Sequence, residues 1–238
     1  MFVPIYDTNP LKHIPFQYVT VGLIAFNLAI YVTFQTGWFF PLDERMAAFA
    51  LIPAEFWTDG APFTSRVSVP AGALPVQESW TLLTYMFVHG NLLHLLGNML
   101  FLWVFGDNVE DAMGHWRFLL FFLMCGVFAG LAHSLAMRSS QIPVIGASGS
   151  VAGIVAAYLM LHPRVKIWVL ALWRIPLRIT AFWVLGFWVL LQIFSAITAN
   201  GEGIAWWAHV GGLSAGAVLI LFMRRPGVML FDKTPGGA

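Results

Sequence analysis

Gly146-Ala147-Ser148-Gly149-Ser150-Val151-Ala152-Gly153-Ile154-Val155-Ala156-Ala157 opens an apolar run that spans about 145–162. That length is close to the ~20 residues a membrane-crossing helix needs. Gly149-xxx-Gly153 is a small-xxx-small pair, and Ser148, Ala152 and Ala156 make a second small stripe. Faces of this kind let two helix backbones approach closely. The stretch therefore reads as a membrane helix packed against a neighbour.

Outward from it lie comparable runs near 18–36, 91–107, 116–136, 177–198 and 204–223. The 238 residues are 59% hydrophobic and 10% charged, with a mean hydropathy of +0.79, whereas soluble domains carry about a quarter charged residues. Lipid admits only helices or closed barrels, and these runs are too long for barrel strands. The expectation is an all-α membrane protein, a six-transmembrane-helix bundle forming a single domain over 1–238.

Lysine and arginine set the orientation. With a cytoplasmic N-terminus, the inner segments hold nine: Lys12, Arg117, Arg164, Lys166, Arg174, Arg178, Arg224, Arg225 and Lys233. The outer segments hold three, Arg45, Arg66 and Arg138. N-in/C-in follows, and the cell (inner) membrane is the expected location. Pro4, Pro10 and Pro15 and the lack of an apolar core in the first 17 residues argue against a secretory signal. A net charge of +1 gives no case for nucleic acid. Cys125, the single cysteine, reads as a small hydrophobe.

The connection at about 38–90 is the one long loop, rich in proline (Pro41, Pro53, Pro62, Pro70, Pro75) and with an apolar patch over 47–57. Short helices in the outer interface would suit it. Its last part, 80–88, is assigned to the loop because His89-Gly90-Asn91 interrupts the apolar run and Asn91 makes a good N-cap. Asn200-Gly201-Glu202-Gly203 has turn chemistry and little bulk, which suits a movable connection.

Polar residues inside apolar runs are costly and mark function by default. Ser148 and His209 are two such residues, on the fourth and sixth spans. His94 and Asn98 are two more, one turn apart on one face of the second. These three spans run from outside to inside, so all four residues fall near the outer helix ends, His94, Ser148 and His209 within roughly 10 Å of them. In the sixth span His209, Gly212 and Gly216 share a face, and Gly212-xxx-Gly216 answers Gly149-xxx-Gly153. A serine hydroxyl needs a base to become a nucleophile, and histidine suits that task near neutral pH. Ser148 is the candidate nucleophile and His209 the general base, then general acid to the leaving amine. Asp107, Glu110 and Asp111 lie at the inner end of the second span, so no acid joins them and the pair is a dyad. His94, Asn98 and the Ser148 backbone N–H are candidate oxyanion donors, each typically worth about 3–4 kcal/mol. Gly146 and Gly149 permit the tight backbone such a site requires.

Over roughly 1–225 the chain resembles the rhomboid family of intramembrane serine proteases. The resemblance rests on Gly146-Ala147-Ser148-Gly149, His89-x4-His94-x3-Asn98 running to Trp103, Glu110-x3-Gly114 and Ala208-His209-x2-Gly212-x3-Gly216, in this order. It implies a protease that cuts transmembrane segments of other proteins near the outer face. The family's serine and histidine fall on Ser148 and His209, and its oxyanion residues on His94 and Asn98. The fifth span and the 199–203 loop would form a gate and cap. Two positions depart from the pattern. Trp80 is followed by Thr81 where the family often has arginine, and Ala152 stands where some members pack a tyrosine on the histidine. Other neighbours must then hold the His209 ring.

Three other readings compete with this one. A zinc site on His89, His94 and His209 lacks an HExxH motif and a carboxylate at that depth. A transporter would want paired broken helices or charge in the bilayer core. A rhomboid-like protein that binds transmembrane clients without cutting them would have no need of Ser148 and His209. The expected partners are transmembrane substrates and the lipid bilayer, with no cofactor and no metal.

Overall fold

The structure, a computed structural model, describes residues 2–38, 48–57, 78–171, 174–198 and 203–232. Most of the long loop, including Pro41, Pro62, Pro70 and Pro75, lies outside the described residues, as do 200–202 of the turn and Lys233. Elements follow in the order β1 (Phe2–Asp7), α1 (Tyr18–Ile30, continued by a π-helical turn, Tyr31–Gln35), α2 (Pro53–Phe56) and α3 (Glu78–Thr84, then a 3-10 turn, Tyr85–Phe87). After these come α4 (Leu92–Met113), α5 (His115–Ala136), α6 (Ser148–Leu161), β2 (Lys166–Ala171), β3 (Ile175–Thr180), α7 (Ala181–Thr198) and α8 (Trp206–Met223).

Among the described residues, five helical stretches are long and apolar enough to cross a bilayer: Tyr18–Gln35, α4, α5, α7 and α8. The protein is a mostly helical, multi-pass membrane protein. The helix expected over 145–162 is shorter, the 14 residues of α6. Its length of about 21 Å falls short of a hydrocarbon core of about 30 Å. The reason is burial. Every residue from 149 to 158 is buried, so α6 is enclosed by α4, α5 and α8 and need not match the lipid.

Two expectations need correction. The chain is not all-α, because β1, β2 and β3 form an antiparallel sheet in that order. Phe2 pairs with Ala171 and Asp7 with Ile167, while Lys166 pairs with Thr180 and Ala171 with Ile175. In β2 the inward residues Ile167, Val169 and Ala171 alternate with outward ones, the period-two pattern of a half-buried strand. Second, 177–180 belongs to β3, and the helix begins only at Ala181. The stretch 80–88 follows the expectation of short helices within the long loop. It holds most of α3 and a turn whose Tyr85 and Met86 are fully buried.

One end of the bundle is held by polar groups. The Glu110 carboxylate accepts from the Val19 and Thr20 N–H groups and the Thr20 hydroxyl, capping the start of α1 from another helix. Its other partner is His115 Nδ1 at 2.5 Å. Asp111 accepts from the N–H groups of Lys12, His13 and Ile14. The Tyr158 hydroxyl donates to Asp7 at 2.5 Å, and Asn9 bonds Asn108. Arg225 N–H donates to the Ala112 carbonyl, and Lys12 lies 3.8 Å from Asp232. The N-terminal segment, the α4–α5 turn, the sheet and the segment after α8 thus gather at this end.

Candidate active site

The opposite end of α4, α6 and α8 carries the candidate residues. Asn91 caps α4 as its sequence suggests, its side chain accepting from the His94 N–H at 2.8 Å. That cap fixes where α4 starts and so where His94 and Asn98 point. Asn98 is buried, and its amide donates to the His94 carbonyl at 3.1 Å.

The segment before α6 is stapled at several points. Val144 and Leu51 exchange backbone hydrogen bonds of 2.8 and 3.1 Å, and Gly146 N–H donates to the Tyr85 carbonyl at 2.9 Å. Gly146 has φ 110°, a left-handed conformation open to glycine. A Cβ there would lie 2.6 Å from Cε1 and 2.7 Å from Nε2 of His94. The His94 ring therefore occupies the side-chain space of Gly146, two residues from Ser148. Beside it the buried His89 stacks edge-on to His94 at 5.2 Å. Its Nε2 lies 3.5 Å from the Ala147 N–H, and Gln35 brackets its backbone with bonds of 2.6 and 3.1 Å. Burial, and then the nearby His94, push the His89 imidazole down to about 4. It stays neutral near pH 7 as a structural brace.

Ser148 is the first residue of α6, so its N–H lies outside the helix's own hydrogen-bond ladder. The glycine pairs bring α8 against α6 in step. A Cβ on Gly212 would strike the Gly149 carbonyl, and one on Gly216 would strike that of Gly153. Gly149 and Gly153 are themselves filled from the other side, by Ala129 and Cys125 of α5. Matching pairs four residues apart on each chain segment make α6 and α8 parallel. This places His209 beside the start of α6, with its Nε2 2.8 Å from Ser148 Oγ.

One neighbour of His209 escapes the motifs. Gln192 of α7 is buried, and its Oε1 lies 2.7 Å from His209 Nδ1. Trp188 and Trp206 flank the ring at 6.3 and 5.8 Å between centroids. Trp188 also packs on the small patch of Ala152, Ala156 and Leu213. A lone glutamine in an apolar run was the available signal for Gln192, but nothing in the sequence says which helix it meets.

A helical membrane protein with a hydrogen-bonded serine and histidine on neighbouring small-residue faces belongs to a narrow class. The chain belongs to the rhomboid family, whose Rhomboid domain model matches residues 76–226. It is 28% identical over 162 residues to the "RHOMBOID-like protein 12, mitochondrial" of Arabidopsis thaliana, covering 61% of this chain and 46% of that protein. With the "Rhomboid protease GlpG" of Yersinia pseudotuberculosis it shares 28% identity over 161 residues, 68% of this chain and 54% of the relative. The "Rhomboid protease GluP" of Bacillus subtilis is 39% identical over 82 residues, 34% of this chain and 16% of the relative. The chain thus spans about half or less of the length of these relatives.

Proposed function

We propose that the chain is an intramembrane serine endopeptidase that cleaves transmembrane segments of other membrane proteins near the outer face. The observation that carries this is the 2.8 Å contact between Ser148 Oγ and His209 Nε2. In the proposed reaction the Ser148 hydroxyl donates its proton to His209 as Oγ attacks the scissile carbonyl carbon. The developing oxyanion meets His94, Asn98 and the Ser148 N–H. His209 then hands the proton to the leaving amine, and water repeats the sequence to release the acyl group. The dyad as written calls on no cofactor or metal.

A six-helix, N-in/C-in bundle fits this reading, with α6 as the enclosed sixth member. The polar end that gathers Lys12, Lys166, Arg178 and Arg225 would face the cytoplasm. Ser148 and His209, at the N-terminal ends of α6 and α8, would then sit toward the outer side of the cell membrane. Residues 1–238 would form one domain. Substrate would enter sideways past α7, whose outer face is largely exposed apolar surface.

The test is cleavage of a model transmembrane substrate by the purified protein in liposomes. Wild type is expected to cut, and Ser148→Ala and His209→Ala to be inactive while melting like wild type. Undiminished cleavage by Ser148→Ala contradicts the proposal. A wild type that binds substrate segments without cutting them supports a client-binding protein instead.

A further inference from the structure

A general base must present a lone pair to the hydroxyl it deprotonates, and neutral imidazole carries its proton on either nitrogen. In this protein α7 makes the choice. Gln192 donates from Nε2 to the Trp188 carbonyl, one turn earlier, at 3.2 Å. A carbonyl only accepts, so the amide nitrogen faces Trp188 and the amide oxygen faces the other way. That oxygen lies 2.7 Å from His209 Nδ1. Two acceptors at this distance need a proton between them, so Nδ1 carries it. Nε2 is then the bare nitrogen, and it is the one facing Ser148.

Ring packing adds to the hydrogen bond. Trp188 lies 6.3 Å from the His209 ring at 30°, and Trp206 meets it edge-on at 90°. Trp188 is seated by the small side chains of Ala152 and Ala156, where a larger residue would exclude it. Trp188 and Gln192, four residues apart on one face of α7, thus reach the same imidazole from the same helix.

We infer that Gln192 is the positioning residue of His209, fixing its base tautomer and ring angle from α7, so that the readiness of the base depends on the seat of that helix. The inference rests on the dyad reading of Ser148 and His209. Gln192 touches neither Ser148 nor the substrate in this scheme and acts only through the histidine.

Two substitutions test it. Gln192→Leu keeps much of the volume and removes the acceptor, while Gln192→Glu keeps an acceptor and adds charge. Gln192→Leu is expected to lower kcat about 10- to 100-fold, part of what a positioned base contributes, with KM changed less than about twofold. Gln192→Glu is expected to keep most of its activity, with the acid limb of its kcat–pH profile moved to higher pH, because a carboxylate favours the imidazolium. Nitrogen-15 spectra of the His209 ring give a readout independent of turnover. Wild type should show the Nδ1-protonated tautomer and Gln192→Leu a mixture.

Unchanged kcat and pH profile in Gln192→Leu, in a protein that Ser148→Ala inactivates, would overturn the inference. If Gln192→Leu fails to fold, an unmoved acid limb in Gln192→Glu does the same. If wild type itself neither cuts nor takes a serine-directed label, the protease reading has failed, and the tautomer spectra decide the positioning role alone. An Nδ1 proton fixed in wild type and released in Gln192→Leu keeps it, and identical spectra reject it.

Discussion

At Gly146 two demands meet that no other residue satisfies together. The backbone turns through φ 110°, and the space a side chain would fill holds the His94 ring. Gly146→Ala carries a backbone penalty of about 1 kcal/mol or more and must also push His94 aside. Because the ring rather than the core gives way, the expected outcome is a folded protein with cleavage reduced at least about tenfold, read from kinetics beside a thermal melt. Wild-type kinetics in that variant would mean that the His94 position is unimportant. The polar members of the candidate site were legible as polar residues at one end of apolar helices, and Asn91 as the cap at the start of the helix that carries two of them. Gln192 was not. Its meaning depends on which way α7 faces, and an almost wholly apolar helix such as α7 leaves little periodicity to reveal that.

Among the elements, α6 and α8 set the distance between Ser148 and His209. Their backbones touch where Gly212 meets the Gly149 carbonyl and Gly216 that of Gly153. A methyl at Gly212 meets backbone on α6, which cannot rotate away as a side chain can. Gly212→Ala is therefore expected to lose stability near the upper end of the 1–3 kcal/mol typical of overpacking and to weaken the Ser148–His209 contact. Thermal unfolding in detergent checks the first and cleavage rate the second; a variant equal to wild type in both would show that the helices approach less closely. The small-xxx-small spacing announced this pairing directly. The sheet gave no such notice. Six-residue strands are too short to stand out in a hydropathy window, and one of the two partners of β2 is more than 150 residues away at the N-terminus. The shortness of α6 was hidden for a related reason, since apolar composition does not distinguish contact with lipid from contact with protein.

For the molecule as a whole, the end away from the site is fastened by buried polar groups, with Asp7 among the most confined. Burial pushes its carboxyl up to about 6, against the opposing pull of the Tyr158 hydroxyl and the Asn9 N–H. The folded state thus favours the protonated acid. That contribution is complete below the ordinary value of 3.8 and is lost as pH rises through about 6. The buried His89 and the half-buried His162, both pushed down to about 4, act in the opposite sense as pH falls. The difference between wild type and Asp7→Asn separates the two effects. Relative to Asp7→Asn, wild type is expected to lose thermal stability between about pH 4 and pH 6 and to change little outside that window. A flat difference across the window would mean that Asp7 titrates in the folded protein as it does in the unfolded chain.

The proposed dyad would link all three scales, since it would need the Gly146 turn, the α6–α8 contact and the fastened bundle. Reaction of the purified protein with a serine-directed fluorophosphonate, mapped by mass spectrometry, tests it most directly. One adduct on Ser148, absent in Ser148→Ala and strongly reduced in His209→Ala, is the expected result. Equal labelling of Ser148 with and without His209, or none in folded wild type, would contradict it.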